Sequence, residues 1–179
     1  MIANILNAVT LSRIFCAILI YLILFLESNY SLALFLFFVA SFSDFLDGYL
    51  ARKTNSVSVL GEILDPIADK LLIVFVLIGL SINLNSFLIG FISSVIISRE
   101  IWVAALRDIN SRNNQSDKTR VTFLAKTKTA IQMLSILMYL FGLTINNMMV
   151  LFFADIILII ALLVTIHTGF QYTISTFKK

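Results

Sequence analysis

The sequence predicts an all-α integral membrane protein: six transmembrane helices with both termini on the cytoplasmic side. Three observations carry that expectation. The 179 residues are 60% hydrophobic, with a mean hydropathy of +1.01 and a single proline, far from the composition of a soluble domain. Several apolar runs approach the roughly 20 residues a helix needs to cross about 30 Å of hydrocarbon, and the alternation of a β-barrel is absent. The 13 Lys and Arg residues all fall to one side of the chain's turns.

The runs place spans at about residues 11–26, 31–52, 61–81, 86–107, 126–144 and 149–173. Span one enters from Asn7 and Arg13 into the Phe15–Phe25 run; no small-residue cleavage site follows, so it is expected to stay in the mature protein. Cys16, the only cysteine, reads there as a small buried hydrophobe and excludes a disulfide framework. Span two carries Phe35, Phe37 and Phe38 as lipid-facing or packing residues and ends on acids; span three begins on acids. Span four holds Arg99 in otherwise apolar surroundings, span five opens on Lys126 and Lys128, and span six contains His167 and Asp155. His167 reads as a helix–helix hydrogen-bonding residue rather than a ligand, and Asp155 has no assigned partner. The breaks at 27–30, 81–86 and 144–147 are rich in Ser, Asn and Thr and hold no Lys or Arg.

Every basic residue therefore lies at the other end: Arg13, Arg52, Lys53, Lys70, Arg99, Arg107, Arg112, Lys118, Arg120, Lys126, Lys128, Lys178 and Lys179. The positive-inside rule makes that end cytoplasmic. The basic balance is met by topology and anionic lipid, with no nucleic acid implied. With no repeat or long linker, residues 1–179 read as a single membrane domain.

Between residues 44 and 69 the chain reads DFLDGYLARKTNSVSVLGEILDPIAD. Asp44 and Asp47 are three apart and share a helix face, beside Gly48, where a ligand can approach the backbone. Gly61, Asp65 and Asp69 repeat at four and form a second stripe. Four unpaired aspartates inside a membrane would cost roughly 10 kcal/mol on insertion scales. Arg52 and Lys70 are too few to neutralise them and Glu62 adds a further negative charge, so a bound cation is the economical compensation. All-oxygen ligation by Asp44, Asp47, Asp65 and Asp69 indicates Mg²⁺ or Mn²⁺ rather than zinc. The competing reading places these acids in a water-filled vestibule or against arginines. Pro66 is harmless in a first helical turn, whereas deeper it would free a carbonyl next to the acids.

The pattern Asp44-xx-Asp47-Gly48-xx-Ala51-Arg52-x8-Gly61-xxx-Asp65-xxx-Asp69 resembles, in every defined position, the signature of the CDP-alcohol phosphatidyltransferases. That resemblance implies a six-helix membrane fold, a homodimer, and signature helices that hold a CDP pyrophosphate through metal and the nucleotide through Gly48, Ala51 and Arg52. It also implies roles in CDP binding for Asn7, Thr10, Asp47 and Gly61. The outer segments Asn7-AV-Thr10-LS-Arg13, Arg99-Glu100-IWVAAL-Arg107, Lys126-T-Lys128-T-AIQ and Thr168-GFQ-Tyr172 are similar to the bacterial phosphatidylglycerophosphate synthases. Ala125 departs from them where many have Gly. The implied setting is a bacterial inner (plasma) membrane, multi-pass, with the site facing the cytoplasm.

The implied donor is CDP-diacylglycerol, with two metal ions stabilising CMP as leaving group. An acceptor hydroxyl needs a carboxylate to take its proton; Asp69, last of the series, is the candidate catalytic base, and can touch metal as well. No Ser, Cys or His pairing suggests a covalent intermediate, so a single displacement is expected. For glycerol 3-phosphate as acceptor, Arg99, Arg107, Lys126 and Lys128 supply the cations for its phosphate. Lys126 and Lys128 cannot both face inward on a regular helix. A salt bridge from Arg99 or Lys70 to Glu62 or Glu100 is the plainer reading of those cations. Inositol phosphate, or phosphatidylglycerol as in CMP-forming cardiolipin synthases, stays open as acceptor, and a metal-ion transporter is the reading from another class.

Overall fold

The computed structural model describes residues 2–27, 29–54, 59–113 and 123–178, excepting the side chains of 2–6, 27, 44–54, 59–60, 62–63, 123 and 125–126. The described chain is helical. Helix α1 (Ile2–Leu22) runs on into one π-helical turn, Ile23–Glu27; then come α2 (Tyr30–Thr54), α3 (Val59–Asn83), α4 (Phe87–Arg112), α5 (Phe123–Thr144) and α6 (Met148–Phe177). All six expected spans are helices. Among the described residues, three stretches are long and apolar enough to cross a membrane, Asn7–Leu26, Phe87–Arg112 and Met148–Phe177, and α2 adds the shorter apolar stretch Tyr30–Ser43.

Two connections are so tight that they fix antiparallel neighbours. Between α3 and α4, Asn85 takes a positive φ of 47°, the Ser86 N–H donates to the Ser81 carbonyl at 3.0 Å and the Asn85 N–H to that of Ile82 at 3.1 Å. Between α5 and α6 the same pattern recurs, with Asn146 at φ 49°, Asn147 donating to Gly142 at 2.9 Å and Asn146 to Leu143 at 3.3 Å. These are Schellman caps in which asparagine, which tolerates left-handed backbone, stands where glycine is usual. Each is followed at once by an N-cap: the Ser86 hydroxyl accepts from the Ile89 N–H at 3.4 Å, and the Asn147 side chain from Met149 at 2.9 Å. The α1–α2 connection lies beside them, since the Asn83 amide donates to the Leu24 carbonyl at 2.8 Å and accepts from the Tyr30 hydroxyl at 3.1 Å. The three short connections thus gather at one end.

Helix α1 packs on α3, α5 on α6, and α4 on α6, with α2 against α5. One core threads the bundle, through Ile20, Phe37, Leu72, Val76, Leu80, Ile92, Ile136 and Leu158. Outward the molecule stays apolar: Phe35, Phe38, Phe87, Phe152, Leu163 and Phe170 are each more than half exposed, while Arg13, Gln132, Ser135 and Thr165 are buried. Apolar residues outside and polar residues inside suit a surface that faces lipid.

Three expectations change. Pro66 lies inside α3, two turns from its start, so the carbonyl of residue 62 loses its helical donor beside the acids. His167 is exposed, and its ring shares a hydrogen bond of 3.0 Å with Gln171 one turn on in the same helix, rather than joining two helices. Asp155, without a partner in the sequence reading, accepts from the Tyr139 hydroxyl across the α5–α6 contact.

Candidate active site

At the end opposite the three short connections, α1 lies against the acidic start of α3. The Thr10 hydroxyl donates to Asp65 Oδ1 at 2.6 Å, and Arg13 Nη1 donates to Asp69 Oδ1 at 2.8 Å. Three residues advance α1 by about one turn and four advance α3 by about one turn, so the two pairs stack as rungs. The Arg13 side chain is fully buried, whereas that of Asp69 keeps 28% of its surface. Asn7 stands one turn before Thr10, and Gly61 one turn before Asp65. Thr10, for which the resemblance implies a nucleotide contact, and Arg13 thereby hold two of the four acids.

Asp69 also lines a pocket of about 410 Å³ between α3, α4 and α5. Lys70, Arg99, Arg107 and Lys128 line it too, together with Glu100. Among the described residues that line it four are cations and two are carboxylates, one of which is already paired with Arg13, a positive excess that suits a phosphate monoester dianion. Glu100 gathers three of the cations: its carboxylate accepts from Arg99 Nη1 at 2.8 Å, accepts from Lys128 Nζ, and lies 3.6 Å from Lys70 Nζ. Glu100, which the sequence reading considered only as a possible salt-bridge partner, is the hub of the pocket.

The remaining frame comes from α6. Arg99 Nη2 donates to the Thr168 hydroxyl at 2.8 Å. Gly169 lies against the arginine stem, where an added Cβ would sit 3.1 Å from Arg99 Cγ and 3.5 Å from Nε. The Tyr172 ring takes both guanidinium groups, Arg99 at 5.7 Å and Arg107 at 5.6 Å from its centroid. Two further rungs join α4 to α6, Trp102 to Thr173 and Asn110 to Thr176, each at 2.9 Å. Arg107 has no carboxylate partner among the described residues, and its buried Nε makes no hydrogen bond. A cation held on an aromatic face beside an open pocket, without a counter-ion, is built to receive an anion.

Asp69, Arg99, Arg107 and Lys128 thus line one pocket. Asp44, Asp47, Gly48, Ala51 and Arg52 lie on the last turns of α2 and Lys126 on the first turn of α5, but their side chains lie outside the described residues. Among the described residues no group of three His, Cys, Asp or Glu is close enough to hold a metal. Asp65 and Asp69 offer hard oxygen donors one turn apart on one helix face, and that donor set suits Mg²⁺ or Mn²⁺. On donor chemistry, the residues fit the expected ion.

Residues 3–167 match the family model for CDP-alcohol phosphatidyltransferases. Among curated proteins, the chain is similar to the CDP-diacylglycerol--glycerol-3-phosphate 3-phosphatidyltransferase of Rickettsia bellii, 38% identical over 94% of this chain and 93% of that one. The proteins of the same name from Haemophilus influenzae and Shigella flexneri are 37% identical over 82% of this chain and 78% of the relative, and 28% over 94% and 92%. Members of that family generally depend on a divalent metal. With a family match across most of its length and relatives above 30% identity end to end, this chain belongs to the CDP-alcohol phosphatidyltransferase family.

Proposed function

We propose that the chain transfers the phosphatidyl group of CDP-diacylglycerol to glycerol 3-phosphate, giving phosphatidylglycerophosphate and CMP. The observation that carries the acceptor is Arg107, a guanidinium without a carboxylate partner among the described residues, in a pocket where the described cations exceed the described carboxylates by two. The curated names of the relatives point the same way. Family membership leaves the ion-transporter reading without support.

Asp69 takes the proton of the acceptor hydroxyl. It lines the pocket while Arg13 fixes one of its oxygens, so the carboxylate is held toward the acceptor. The freed oxygen attacks the lipid-linked phosphorus; a P–O bond to the acceptor forms as the P–O bond to CMP breaks, and CMP leaves with the bonding pair. Arg107 and Lys128 bind the acceptor's phosphate, with Arg99 beside them, and set its hydroxyl in reach of Asp69; Lys126 belongs to the same supply. Asp44, Asp47, Asp65 and Asp69 would hold Mg²⁺ or Mn²⁺, two ions as the family resemblance implies, which when bound would neutralise the pyrophosphate and stabilise the leaving group. Asn7, Thr10, Gly48, Ala51, Arg52 and Gly61 would contact the CDP moiety.

The six helices would all span a bacterial inner membrane, N- and C-termini inside, with the pocket at the cytoplasmic rim where both a lipid-anchored donor and a soluble acceptor reach it. A homodimer is the expected assembly. The test is turnover by purified protein with CDP-diacylglycerol and a panel of acceptors: glycerol 3-phosphate should react, with little from inositol phosphate, free glycerol or phosphatidylglycerol. Preference for phosphatidylglycerol or inositol phosphate would replace the acceptor and keep the phosphatidyl transfer.

A further inference from the structure

Three like charges drawn from three helices do not stay together in a partly dry pocket unless something holds them. Lys70 comes from α3, Arg99 from α4 and Lys128 from α5, and in each case the described partner is the Glu100 carboxylate. Arg99 and Lys128 are nine-tenths or more buried, so water does little to screen their repulsion. Arg99 is tied at both ends, to Glu100 by Nη1 and to Thr168 by Nη2, which makes it framework as much as contact. Lys128 gives one proton to Glu100 and has two left.

We infer that Glu100 is a positioning residue for the acceptor: it gathers Arg99, Lys70 and Lys128 into one preorganised site, and a phosphate monoester binds the donors that Glu100 leaves unused. This rests on the reading of the pocket as the acceptor's phosphate site. The opposite geometry-based role, a carboxylate that occupies the phosphate's own place and must be displaced, predicts the reverse response to its removal. In the positioning role the carboxylate stays, and the substrate dianion answers the positive excess that remains.

The test is steady-state kinetics of the full-length enzyme in detergent or lipid, varying glycerol 3-phosphate at saturating CDP-diacylglycerol and the reverse, with inorganic phosphate as a competitor of the acceptor. Glu100→Gln keeps the shape and removes the charge. It should raise the acceptor KM and the inhibition constant of inorganic phosphate together, by tenfold or more, while the donor KM stays put; the melting temperature should fall, because buried Arg99 and Lys128 lose their counter-charge. Glu100→Asp, shorter by one methylene but still charged, should recover part of the loss, and serves alone should Glu100→Gln fail to accumulate. A lower acceptor KM in Glu100→Gln shows competition and overturns the inference, as does an unchanged acceptor KM in both variants or a parallel rise for both substrates. If the wild-type protein turns over no glycerol 3-phosphate, the acceptor reading fails and this inference with it; if the wild type reacts and the variants match it, only this inference fails.

Discussion

Gly169→Ala separates what the α6 glycine does for the helix from what it does for the pocket. Glycine inside a helix costs about 1 kcal/mol relative to alanine, so the substitution should raise stability if Gly169 were only a helical residue. The added Cβ, however, would lie 3.1 Å from Arg99 Cγ, 3.5 Å from Nε and 3.9 Å from Cδ. Carbon pairs rest at about 3.5–4.0 Å, so the arginine stem must retreat by several tenths of an ångström. It cannot retreat freely, since its guanidinium is tied to Glu100 and to Thr168, both at 2.8 Å. The movement therefore tilts the guanidinium out of one of those bonds. A charge-assisted hydrogen bond contributes about 1.5–3 kcal/mol, and partial loss of one, about 1–2 kcal/mol, is roughly a five- to thirtyfold rise in acceptor KM. The assay is acceptor and donor KM beside the melting temperature in detergent. The expected result is an unchanged or slightly lower melting temperature, an unchanged donor KM and a raised acceptor KM. An acceptor KM equal to that of the wild type would refute the claim that Gly169 makes room for Arg99.

Asp65→Asn should abolish turnover and leave membrane insertion intact, because removing a charge eases insertion; membrane fractionation beside the activity assay checks both. Chelation with EDTA should stop the reaction and Mg²⁺ or Mn²⁺ restore it, and full activity in chelator would remove the metal from the account. Asp69→Asn should lower kcat by roughly 10²- to 10⁴-fold while CDP-diacylglycerol still binds, and an equal loss of donor binding would make Asp69 a metal ligand first. In a Cys16→Ser background, cysteines at Phe87 and Asn113, at opposite ends of α4, should label from opposite faces of the membrane; labelling from one face contradicts the six-span orientation.

Much of the fold was legible because its signals are local. The turn residues at 81–86 and 144–147 mark both Schellman-capped connections, although that Asn85 and Asn146, rather than Asn83 and Asn147, take the left-handed conformation emerges only from the backbone. Apolar runs located all six helices, but not their ends: α3 begins at Val59, before the run the hydropathy marks, which sets Pro66 two turns inside the helix. Asp65, Asp69, Arg99, Arg107 and Lys128 stood out because charge in an apolar span is costly. Their partners did not. Thr10 and Arg13 lie 55 and 56 residues from the acids they hold, and Thr168 lies 69 from Arg99, so no periodicity within one helix could pair them. Glu100 had a visible signal, a lone acid among cations in an apolar span, but its three partners come from three helices. His167 shows the converse: a lone polar residue in an apolar span suggests a buried contact, yet one turn on it finds Gln171 and stays at the surface.

The central claim is that the cation pocket holds the acceptor's phosphate, and Arg107→Ala tests it most directly. Arg107 lines the pocket with no carboxylate partner among the described residues, so its removal strands no buried acid there and should not unfold the protein. The measurement is the KM of each substrate for wild type and variant with Mg²⁺ saturating. Loss of one charge-assisted contact predicts an acceptor KM raised by roughly tenfold or more, with the donor KM unchanged. A raised donor KM with an unchanged acceptor KM would contradict the account, placing Arg107 on the CDP-diacylglycerol side of the reaction.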